Sequence, residues 1–141
     1  MTSEQLNNLT KAHQLKAEPP SQQEFDGLKR SGRARLIDAR NTSLSIESRF
    51  DLAYNASHSL ALAALRWHGY RSENRYLVFQ VLEHTTGLGP EVWRIFAKAH
   101  EKRNLAEYEG YVDVEERLIE DLIEATKTLL AKVEAMGPIG S

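Results

Sequence analysis

Between Ser45 and Tyr70 the chain reads SIESRFDLAYNASHSLALAALRWHGY, and no other stretch restricts the fold so firmly. Phe50, Ala53, Tyr54, Ser57, Ala61, Ala64 and His68 recur at three- and four-residue intervals, which sets them on one side of a long helix. Alanines at 53, 56, 61, 63 and 64 keep that helix thin enough for another to approach closely, and Gly69 suits a C-terminal cap. Long polar/apolar alternation bounded by turns is lacking, so the expectation is an all-α chain with this segment at its centre.

The remaining helices follow from periodicity and end signals. Residues 3–16 predict a short helix with Leu6, Leu9 and His13 on one side, stopped by Pro19 and Pro20; its narrow apolar stripe makes residues 1–18 a peripheral N-terminal element. Ser21 and Glu24 have capping-box spacing and open a helix that buries Phe25, Leu28, Leu36 and Ile37, is interrupted at Gly32, and ends near Asn41. A helix from Ser72 buries Tyr76, Phe79, Val81 and Leu82 and stops at Gly87. The next has Pro90 at its start and Gly110 past its end. Asp113 and Glu116 have N-cap and N3 spacing before a last amphipathic helix carrying Leu118, Leu122, Ala125, Leu129 and Val133. Short loops then favour an antiparallel up-and-down bundle in one domain, 1–136, with 137–141 a flexible tail.

The whole-chain numbers exclude several classes. A length of 141 residues is enough for one core, and a net charge of -2 argues against a surface built throughout for nucleic acid or anionic membrane. The absence of cysteine removes disulfides and thiolate metal sites. With no leader-like or membrane-spanning pattern, the expected place is the cytoplasm. His13, His58, His68, His84 and His100 show no ligand spacing, so no metal is expected, and no phosphate-loop or dinucleotide fingerprint calls for a cofactor. Lys29, Arg30, Arg33, Arg35 and Arg40 read as a solvated helix face or else an RNA-contacting patch, and Trp67 and Trp93 as packing residues or, if exposed beside the polar ladder of residues 100–108, as base-stacking ones.

One residue resists that ordinary reading. In HEKRNLAEYEGY, residues 100–111, the helical angle places Arg103 near the centre of the apolar face formed by Val92, Phe96, Ala99 and Ala106. His100, Asn104, Glu107 and Tyr108 form a polar ladder beside it. Arg103 and Glu107 make an ion pair at the bundle edge on one reading; on the other the ladder faces a cleft or symmetric interface and holds phosphate. His58 is either a satisfied core histidine or a residue that meets the ladder across the bundle.

The succession RFDLAYNASHSLALAALRWHGYR, VFQVLEHT and HEKRNLAEYEGY resembles the HEPN superfamily of prokaryotic helical bundles over about residues 36–133. That resemblance implies a homodimer, with RNA or nucleotide as ligand and toxin–antitoxin or defence biology. Many such domains are metal-independent ribonucleases; others lack catalysis and pair with a nucleotidyltransferase or antitoxin. The nuclease signature is Arg, a polar residue, several spacers, then His. Arg103 and Asn104 fill its first positions, whereas Tyr108 stands where the histidine is expected and is a poor base at neutral pH. Weak or absent cleavage follows, with His100 as the substitute base. Arg94 and His100 also have nuclease-like spacing, a match expected by chance. The rival expectation is a non-catalytic interaction module on the same face.

Overall fold

The computed structural model describes residues 3–140. Seven helices and one pair of two-residue strands account for its regular structure: α1 (Ser3–Lys11), β1 (Lys16–Ala17), α2 (Gln22–Ala39), α3 (Ile46–Trp67), β2 (Tyr70–Arg71), α4 (Arg75–Gln80), α5 (Leu82–Thr85), α6 (Pro90–Glu109) and α7 (Glu116–Glu134). The fold is an all-α bundle, and none of its helices is long and apolar enough to cross a membrane.

Helix α3 is the centre. Phe50, Ala53, Tyr54, Ala56, Leu60, Ala61, Ala63, Ala64 and Leu65 are all buried, so most of its circumference is covered. Its main neighbour is α2, at a crossing where Gly32 meets Ala56 and Leu60: a Cβ on Gly32 would lie 2.6 Å from the Leu60 side chain. Gly32 therefore does not interrupt α2, which is continuous; the missing side chain is what lets the two backbones approach. Ser21 caps α2 by accepting from the Glu24 N–H, as its spacing predicts. The buried Arg49 side chain donates to the Ala39 carbonyl at the other end. α7 covers α3 with Leu118, Ile119, Leu122, Ala125, Leu129 and Val133, and α6 lies against α7 and α4.

Several sequence expectations need correction. α1 ends at Lys11, not Lys16, and the exposed His13 takes a left-handed backbone, so it is not on a helical stripe. The chain must leave the helix there because Leu15 turns into the core and Lys16 and Ala17 pair antiparallel with Arg71 and Tyr70. That arm is clamped by Arg66, which is fully buried. It pairs with Glu24 at 2.7 Å and donates to the carbonyls of Glu18 and Pro19 at 2.9 and 2.7 Å. Leu6 of the arm is itself in the core. Ile37 is 60% exposed, because α2 is covered on the Phe25 and Leu36 side only. The helix expected from Ser72 starts instead at Arg75, where Asn74 caps the Leu77 N–H, and it breaks at Val81 into α4 and α5. Tyr76 is 38% exposed. α7 begins at Glu116 after an N-cap Glu115 that makes no side-chain cap bond, so Asp113 does not cap it. The Gly137 carbonyl accepts from the Trp67 indole and the Ile139 N–H donates to Gln22, tying the start of the expected tail to the bundle.

Candidate functional site

Three helices bring the site together, and its floor is Tyr54 of α3. This ring is fully buried, stacked with Phe50 and set edge-on to Phe79. Its hydroxyl still needs a partner, since a buried phenol without one costs free energy. The partner is His100 of α6, with 2.9 Å between the Tyr54 hydroxyl and His100 Nδ1. The other imidazole nitrogen, Nε2, lies 3.1 Å from the Asn104 side-chain amide, one helical turn on. A neutral imidazole has one N–H, so two arrangements satisfy this chain. In one, Tyr54 donates to Nδ1 and Nε2 donates to the Asn104 amide oxygen. In the other, Nδ1 donates to the Tyr54 oxygen and the Asn104 amide donates to Nε2.

Arg103 lies where its helical angle puts it. Its guanidinium carbon is 5.3 Å from the Tyr54 ring centre, its side chain is 34% exposed, and Glu107 approaches it at 3.4 Å from a well-solvated position. The stem thus packs on the core, while the head sits at the rim over an aromatic face. Helix α6 presents this row because Pro90 starts it and Gly110, in a left-handed conformation (φ +82°), stops it one turn beyond Glu107.

A second guanidinium shares the same ring. Arg75, the first residue of α4, has its guanidinium carbon 5.7 Å from the Tyr54 centre. Its Nη1 is out of solvent and has no hydrogen-bond partner, and no carboxylate lies within ion-pair distance of it among the described residues. His58 of α3 stands edge-on to Phe79, in the field of the same groups. Burial, then Arg75, His100 and Arg103, push its pKa down to about 4. His100 is also held below the ordinary imidazole range, by burial first and then by Arg75 and Arg103. Both rings are therefore neutral at physiological pH, and the cationic charge of the cluster rests on the two arginines.

Of the residues expected from sequence, Arg103, Asn104, His100 and His58 are brought together and Glu107 closes the rim. Tyr108 is not part of the cluster. It is 92% exposed and borders a shallow groove with Leu105, Lys102, Glu101 and Asn104. Glu47 and Asp51 line a recess with Glu107 and Tyr111 on another side of Arg103. The basic run on α2 lies apart: Arg33 pairs with Glu134 at 2.6 Å and Lys29 sits over Phe25.

Sequence reasoning missed Arg75 and the phenol of Tyr54. A signal for Arg75 was present, since Arg75, Phe79 and Leu82 have the i, i+4, i+7 spacing of one helical face. The Tyr54–His100 bond joins residues 46 positions apart, and local pattern carries no trace of it.

Comparison with protein-family models, curated proteins and solved structures gives no match. The chemistry of the cluster must therefore be read from its own residues. Its excess of buried or half-buried guanidinium over carboxylate, with an amide and two neutral imidazoles at hand, suits an anion with several acceptor oxygens.

Proposed function

We propose that this chain is a HEPN-like helical domain, cytoplasmic, homodimeric and threaded up and down, whose Arg103 and Asn104 face binds RNA or a nucleotide through phosphate. One observation carries the reading. Two guanidinium groups flank Tyr54, and the carboxylate paired with either is Glu107, at 3.4 Å and at the solvent edge. An exposed pair of that kind contributes little and yields readily to a better acceptor.

Ribonuclease chemistry of the metal-independent kind needs a base to take the ribose 2'-hydroxyl proton and a cation to stabilise the charge that grows on phosphorus oxygens. Arg103 fits the second role. For the first, Tyr108 points away from the cluster, and His100 has its basicity reduced by burial and two cations. Binding with weak or absent cleavage is the activity proposed, as part of a toxin–antitoxin or defence system.

The test is fluorescence anisotropy with a short labelled RNA, beside a cleavage assay in EDTA. Wild-type protein binds with little cleavage, Arg103→Ala loses about tenfold or more in affinity, and Tyr108→Phe stays within about twofold, since a charged hydrogen bond is worth roughly 1.5–3 kcal/mol. Efficient cleavage that disappears in His100→Ala would replace this reading by a nuclease with His100 as base.

A second reading has its own support. Leu105 and Tyr108 are 46 and 92% exposed on α6 and line one shallow groove there. Aromatic and aliphatic side chains so placed suit a protein contact, in which the domain pairs with itself and with a nucleotidyltransferase or antitoxin. Under that reading no RNA or nucleotide binds, and Arg103→Ala disturbs the dimer alone.

A further inference from the structure

Among the described residues, Arg75 has the one buried guanidinium nitrogen without a hydrogen-bond partner. A guanidinium normally spends its five donors on carboxylates, carbonyls or water, and a buried donor left unmade costs on the order of 1–3 kcal/mol. Arg75 is half-buried with one nitrogen out of solvent, whereas the two buried arginines among the described residues have partners: Arg66 has Glu24 and three carbonyls, Arg49 the Ala39 carbonyl. Arg75 has the Tyr54 ring beside it and an Nη1 that donates to nothing. The surroundings sharpen the imbalance, because His58 and His100 both feel the charge of Arg75 and Arg103 is the other cation on the ring. Glu107 compensates the Arg103 side alone.

We infer that Arg75 and Arg103 form a two-guanidinium clamp over Tyr54 that takes a phosphate monoester dianion, the terminal phosphate of an RNA or of a free nucleotide. This rests on the phosphate-binding reading above and narrows it to a ligand class. An internal phosphodiester has one negative charge and two free oxygens, which one arginine and an amide already serve. A monoester has about -1.5 to -2 charges near neutral pH and three acceptor oxygens, enough to engage both guanidinium groups. A ligand would enter at the rim, where Arg103, Tyr76 and Asn104 are in part or wholly exposed. The Tyr76 ring, 5.8 Å from that of His100, is placed to meet a base or sugar next to the bound phosphate.

The deciding experiment compares one trinucleotide RNA with and without a 5'-phosphate, by anisotropy on the full chain. The wild type prefers the phosphorylated form by about tenfold or more; Arg75→Gln loses that preference and binds the two forms alike. Arg75→Lys keeps part of the preference, and decides the matter if Arg75→Gln fails to fold. Adenosine 5'-monophosphate as competitor separates the two sources. Competition equal to the trinucleotide assigns a free nucleotide, and competition about tenfold weaker assigns an RNA end. Equal wild-type affinity for the two trinucleotides, or a preference that survives in Arg75→Gln, overturns the clamp and leaves phosphate binding at Arg103 standing. Failure to bind either trinucleotide or the mononucleotide removes both.

Discussion

His58 is the residue on which burial and charge act most strongly together. Its folded pKa of about 4 lies below the 6.5 of a free imidazole, so the unfolded chain takes up its proton first as pH falls. Stability attached to this group is complete above about pH 6.5 and is lost as pH falls towards about 4. The full loss is on the order of 3 kcal/mol, from about 1.4 kcal/mol per pKa unit. Urea denaturation at about pH 7 and about pH 4.5 should show that loss in wild type and a smaller one in His58→Gln. His68 and His100, also held low by burial, and Glu24, held low against its burial by Arg66 and Arg71, add to the dependence in both proteins. Equal pH dependence in the two proteins would show that His58 is not held neutral by the fold. At this scale the sequence revealed residues whose angle alone sets their surroundings. Arg103 was legible because one helix determines where it lies, whereas the Tyr54 phenol and the Arg75 guanidinium gain their meaning from helices distant in sequence.

Among the elements, the crossing of α2 and α3 depends on a single residue, Gly32. A methyl group at Gly32 would lie within 2.6–2.7 Å of two Leu60 carbons and 3.3 Å of the Ala56 carbonyl, and Leu60 is fully buried. Overpacking of this kind costs about 1–3 kcal/mol, against the roughly 1 kcal/mol that alanine gains over glycine inside a helix. Gly32→Ala should therefore lower the unfolding free energy by a net of up to about 2 kcal/mol, seen as a lower urea midpoint. A rise in stability would mean that the two helices stand further apart than described. Helix ends with their own chemistry, such as Ser21 with Glu24, Pro90 and Gly110, were readable in the sequence. The break at Val81 and the pairing of β1 with β2 were not, because a two-residue strand has no periodicity and its register is held by the buried Arg66.

For the molecule as a whole, the sequence revealed an all-α body and the order of its long helices, but not which faces meet. That depends on contacts such as Gly32 on Leu60, which no single helix encodes. The exposed Leu105 and Tyr108, beside a site at the rim of α6, lead us to expect two chains packed about a two-fold axis. Light scattering at micromolar concentration should give twice the 16.0 kDa of the chain; a 16.0 kDa species would contradict it. The central claim is that the guanidinium groups over Tyr54 exist to hold phosphate. Its most direct test is a calorimetric titration of a 5'-phosphorylated trinucleotide RNA into wild-type protein and Arg103→Ala, both checked for native helicity. The account predicts saturable binding by the wild type and a loss of about tenfold or more in the variant. Absence of binding by folded wild-type protein, or equal binding by Arg103→Ala, would contradict it.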